Sequence, residues 1–115
     1  MATEAVIVAA ARTPFGNLGG GLASVPAVDL GARVIREVLE RTGTDPAAVD
    51  QLIMGMVLAA GQGQVPSRQA GLRAGLPASV SSFTVNKVCA SALLTARATS
   101  SGRLRVGMTT LTTGR

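Results

Sequence analysis

Histidine, tryptophan and tyrosine are absent from the 115 residues, and cysteine occurs once, at Cys89. A single cysteine cannot close an intramolecular disulfide, so a stapled scaffold is excluded. Without histidine, the usual base for a nucleophilic thiol is missing from the chain. The only aromatic side chains are Phe15 and Phe83, so there is no stacking platform of the kind that single-strand nucleic-acid binders use. Long apolar runs are lacking too. The N-terminal MATEAVIVAAA carries Glu4, has no basic flank and is too short to span a bilayer. These features lead us to expect a cytoplasmic location, with neither membrane nor nucleic acid as a partner. Acids are confined to one half. Residues 1–50 hold six of them against four arginines, and residues 51–115 hold seven bases and no acid. Such a half can attract anions, but its bases are scattered rather than run together.

What is present is small and aliphatic. The apolar fraction is 47%, supplied by Ala, Val, Leu and Met, while charged residues reach only 15%. The length bounds the chain to at most one modest domain. Small residues suit closely packed α/β layers, and so little charge suggests a segment meant to be covered by more protein.

Residues 5–10, AVIVAA, read as a strand buried on both faces. The stretch ARTPFGNLGGGLASVP is broken by proline and glycine into loop, and its GNLGGG lacks the helix that a phosphate-binding glycine motif requires directly after it. Residues 27–42 form the clearest helix, with Leu30, Val34 and Val38 on one line and Ile35 and Leu39 beside them. Spacing pairs Arg33 with Glu37 and Arg36 with Glu40 on its outer face. Pro26 suits the helix start, and Gly43 its end. Asp45-Pro46 reads as a capped short turn. Residues 52–58 form a second buried strand and residues 66–75 a short helix. The arginines of that helix, Arg68 and Arg73, would serve an anion, a solvated face or a subunit contact.

Residues 82–86 form a third strand, and from Cys89 the pattern turns helical. Cys89 therefore falls at a strand-to-helix junction, where backbone N–H groups and the positive end of a helix dipole favour an anion. Such a position suits a nucleophile. A free cysteine is also often a small buried residue with no chemistry, and spacing leaves both readings open.

The order of these pieces resembles the N-terminal part of the thiolases. The matching stretches are AVIVAAARTPFG at 5–16, VPAVDLGARVI at 25–35, VDQLIMGMVL at 49–58, GQVPSRQAGLRAGLP at 63–77 and TVNKVCAS at 84–91. The last is similar to the family's nucleophile motif. The resemblance implies an α/β fold with thiolase-like αβαβα layers, present here as an incomplete N-terminal portion. It implies ping-pong acyl transfer in which the residue matching Cys89 attacks a thioester and carries the acyl group. A second acyl-CoA then forms a carbon–carbon bond, or free CoA cleaves a 3-ketoacyl-CoA in reverse. Coenzyme A thioesters are then substrates, and neither a bound cofactor nor a metal is implied. The resemblance also implies an oxyanion hole that includes the backbone N–H at Cys89, and a homo-oligomer with contacts near residues 62–70 and the strand before Cys89.

Departures from the family pattern bear on activity. The family's G-H-P histidine and C-x-G cysteine lie in its later part, and neither occurs in this chain. Alone, the chain is expected not to catalyse thiolysis or condensation. The family commonly has asparagine at Val65 and glycine at Ala92, where the extra methyl is expected to crowd a tight contact. Residues 1–92 thus read as a partial thiolase N-terminal domain and residues 93–115 as a diverged tail. TARATSSGRLRVGMTTLTTGR shows no apolar strand of useful length. A shift of reading frame soon after Ala92, a deletion or a chain end would each produce such a tail.

Overall fold

The computed structural model describes residues 5–98 and 105–110. Three parallel strands form its sheet: β1 (Gln51–Met56), β2 (Ser81–Val85) and β3 (Arg105–Thr110), in the order β2-β1-β3. The register pairs Gln51 with Ser81 on one side of β1 and with Arg105 on the other. Parallel neighbours require crossovers. These are supplied by α2 (Pro66–Ala74) between β1 and β2, and by α3 (Ser91–Ala98) between β2 and β3. The helix α1 (Ala27–Thr42) precedes β1.

β1 is central and accordingly apolar on both faces, with Leu52 through Met56 all buried. Alternation along the strand sorts these residues. Leu52 and Met54 join one core with Val28, Ala32, Ile35 and Leu39 of α1 and Ala70 and Ala74 of α2. Gly55 faces the other way, onto Ser91 and Thr95 of α3. Helices therefore lie on both faces of the sheet, and α3 comes closest where β1 has no side chain.

α1 spans the residues expected of it and ends at Gly43, whose φ of 63° lets its N–H reach Glu40 O while that of Thr44 reaches Leu39 O. The buried stripe is shifted, however, to Val28, Ala32, Ile35 and Leu39. Leu30, Val34 and Val38 are only half-buried, because the α2 and sheet surfaces meet the helix from one side. The ion pairs differ as well. Glu37 pairs with Arg41, the orientation that the helix dipole favours, while Arg36 donates to Arg73 O on α2. Asp45 caps the short turn at Pro46–Ala48 by accepting the N–H of Ala47.

Two expectations fail in complementary ways. Residues 5–10 form no strand, and Val6, Ile7 and Val8 are 72%, 92% and 67% exposed. An apolar run becomes a buried strand only if a sheet edge and two covering layers receive it, and the described residues place none there. Conversely, the tail does contribute a strand, β3, although it lacks an apolar run. Val106, Thr109 and Thr110 are β-branched and suit an extended backbone, and the free edge of β1 supplies the hydrogen bonds.

Candidate functional site

The site is built on the turn from β2 into α3. β2 ends at Val85, α3 opens at Ser91, and Cys89 lies between them with its thiol exposed. The residue before it, Val88, has φ 50°. Val88 donates its N–H to Asn86 Oδ1 at 3.0 Å. Ser91 Oγ donates to Val88 O at 2.7 Å and accepts the N–H of Lys87 at 2.9 Å. The turn is tied to the end of β1 by Asn86 Nδ2, which donates to Val57 O at 3.0 Å. From here α3 runs behind the turn, so that its N-terminus and the thiol share one end of the sheet.

An open groove of about 510 Å³ runs beside this turn, lined by Met56, Val65, Pro66, Phe83, Thr84 and Asn86 among others. Its floor is braced where α2 meets β2. Thr84 Oγ1 accepts the N–H of Ser67 at 3.2 Å and donates to Ser67 Oγ at 2.9 Å. Its rim, residues 59–65, is pinned by Gln69 Nε2, which donates to Gln62 O and Gln64 O.

The arginines of α2 are engaged within the fold. Arg68 donates to Val80 O and Ala78 O, both at 2.7 Å, closing the loop ahead of β2. Arg73 pairs with Asp29 across the α1–α2 contact. Ala92 does not crowd its surroundings, contrary to expectation, because it lies on the exposed side of α3. The tight approach falls one residue earlier, where a Cβ on Gly55 would come within 3.1 Å of Ser91 Cβ. Sequence reasoning passed over Asn86, Ser91 and Gly55. Asn86 and Ser91 both lie in TVNKVCAS, and nothing in the spacing marks a residue as bonding to the turn's backbone. Among the described residues no group of three or more His, Cys, Asp and Glu is placed to hold a metal ion, and no helix is long and apolar enough to cross a membrane.

A parallel sheet with its helices in the crossovers, and an exposed cysteine on the turn from β2 into α3, define a chain of the α/β class. The family model for the thiolase N-terminal domain matches residues 5–111, and the chain belongs to the thiolase family. It is 57% identical over 91 residues to the acetyl-CoA acetyltransferase of Cupriavidus necator, an alignment covering 79% of this chain and 23% of that protein. Identity to the enzyme of the same name from Pseudomonas aeruginosa is 56% over 90 residues, covering 78% and 23%. Among solved structures, a thiolase from Ascaris suum in complex with coenzyme A superposes with TM-score 0.83 at 35% identity, over 85% of this chain and 26% of that one. The Bacillus anthracis acetyl-CoA acetyltransferase gives 0.78 at 34%, over 86% and 25%. The chain thus spans about a quarter of the length of the relatives it matches. The likeness establishes a thiolase-like α/β architecture, present as an incomplete N-terminal portion.

Proposed function

We propose that Cys89 is the acyl-carrying nucleophile of an acyl-CoA acyltransferase, and that this chain by itself does not turn over. The observation that carries the reading is the exposed Cys89 thiol at the head of α3, inside the stretch the thiolase model matches. In the proposed step the Cys89 sulfur, as thiolate, attacks the carbonyl carbon of an acyl-CoA. A new sulfur–carbon bond forms, the bond to the coenzyme A sulfur breaks, and coenzyme A leaves as its thiolate. The proton Cys89 gives up reaches coenzyme A through solvent, because the sequence has no histidine to relay it. The missing histidine and second cysteine then stop the cycle at the acyl-enzyme. Groups that act as a unit lose nearly all their effect when some are absent.

The test is incubation of the purified chain with acetyl-CoA, followed by intact mass spectrometry. A hydroxylamine-labile acetyl adduct that disappears in Cys89→Ala, with no acetoacetyl-CoA made or cleaved, is the expected result. An adduct that survives in Cys89→Ala, or none on the folded chain, refutes the nucleophile. Steady turnover refutes the claim of inactivity.

A second reading, a non-catalytic module that pairs with a thiolase subunit, is favoured by the exposed Leu93 and Leu94 on α3 and by Val6, Ile7 and Val8. Co-elution with a full-length thiolase without an acetyl adduct would select it. We further propose a cytoplasmic location and a homo-oligomeric parent assembly. The boundary near residue 92 we attribute to a shift of reading frame. Sequencing the gene decides this, since no one- or two-base change restoring a valine-rich strand would reject the idea.

A further inference from the structure

Val88 occupies a conformation its own side chain resists. At φ 50° it lies in the left-handed region, where a Cβ crowds the next carbonyl, and a β-branched residue suffers most. Such a conformation persists only where the surroundings over-determine it, and here both polar groups of Val88 are held. Its N–H goes to Asn86 Oδ1, and its carbonyl receives both the hydroxyl and the N–H of Ser91. The same hydroxyl also accepts the N–H of Lys87, so Ser91 grips the chain on both sides of Val88.

Ser91 is itself immobilised. It is 2% exposed, it packs on the bare backbone of Gly55, and its carbonyl accepts Thr95 Oγ1 at 2.9 Å. Asn86 is anchored through Val57 O to the end of β1. The exposed turn is thus referred to the buried central strand through two side chains.

We propose that Ser91 and Asn86 are positioning residues: they hold Val88 in the left-handed conformation and thereby set the direction in which the Cys89 thiol leaves the turn. The inference rests on the acyl-cysteine reading above and deepens it. Released from Ser91, Val88 relaxes to negative φ. The peptide that leads into Cys89 rotates with it, and the thiol swings off the helix N-terminus. A hydroxyl that served stability alone would change the melting midpoint and leave the thiol of the folded chain as reactive as before. A clamp on Val88 becomes dispensable once residue 88 favours the left-handed region itself, as asparagine does.

The experiment measures alkylation of Cys89 by iodoacetamide in the folded full chain at one pH, with sulfur displacing iodide and circular dichroism reporting the fold. Ser91→Ala is expected to slow alkylation by about tenfold or more, and the double variant Ser91→Ala/Val88→Asn to return it to the parent rate. An unchanged rate in folded Ser91→Ala, or a slow rate that Val88→Asn fails to restore, overturns the proposal. Should Ser91→Ala fail to fold, Val88→Asn alone decides. A raised melting midpoint supports a valine held against its preference, and an unchanged or lowered one overturns it. Alkylation needs no acyl-CoA. Loss of acetyl transfer with the alkylation pattern intact therefore counts against the acyl-carrying role and not against the clamp.

Discussion

Val65, at the entrance to α2, has φ 44° and ψ 70°. Pro66 follows it and disfavours the right-handed helical region at the residue before it. The chain turns into the helix through the left-handed region instead, where asparagine is at ease and valine is not. The family's common asparagine at this position thus acquires a physical reason. Val65→Asn is expected to raise stability by about 1 kcal/mol, the low end of the cost of a strained backbone residue, read as a higher urea midpoint with unchanged slope. A midpoint that falls would mean that Val65, half-exposed at the groove, contributes more by packing than it loses by strain. The departure at Val65 was legible in the sequence, but its consequence was not. A valine reads as extended backbone wherever it stands, and only the fold shows that residues 65 and 88 are bent against that preference. The position of Cys89 was legible for the opposite reason: the junction where a strand pattern gives way to a helical one is visible without coordinates, and it falls between β2 and α3 as expected.

The helices meet the sheet through glycines as much as through leucines. A Cβ on Gly71 would stand 2.9 Å from Leu52 Cδ2, and Leu52 is wholly buried, so it cannot swing away. Gly71→Ala gains helix propensity but overpacks the core, and a net loss of about 1–3 kcal/mol is expected. The urea midpoint checks it, and a stabilised variant would contradict the close approach. Ile35 is fully buried in the same core. Ile35→Ala is expected to cost about 2–5 kcal/mol, enough to abolish the cooperative transition in a chain this small. At this scale the sequence was most legible where one period dominated. α1, α2, β1 and β2 lie within two residues of their expected bounds, because apolar spacing and end signals agreed there. Where they failed, a partner was at issue. Residues 5–10 carry the strongest strand composition but pair with none of the described strands. β3 carries a weak one but lies beside β1, and no spacing rule reports which edge is free.

Across the molecule, apolar side chains are spent on the outside as well as on the core. Val6, Ile7, Val8, Phe15, Leu18 and Leu93 are all at least two-thirds exposed. In the described sheet the outer edges of β2 and β3 pair with no further strand. Exposed apolar strands and bare edges invite association between copies. Ile7→Lys is therefore expected to lower light scattering and dye binding at micromolar concentration without shifting the melting midpoint, since Ile7 joins no core. A drop in the midpoint would show that residues 5–10 are docked in solution. The low charge of the sequence pointed to a surface in need of cover, and the location of that surface came only with the fold. The placement of β1 matters in time as well as in space. It is made before both of its neighbours, since its partners begin at Ser81 and Arg105. While the ribosome is still adding α2, β2, α3 and β3, the strand destined for the centre of the sheet waits with both edges unpaired, and only α1 has been made to cover either of its apolar faces. For a nascent chain, the hazard lasts as long as elongation takes to bring in the last strand.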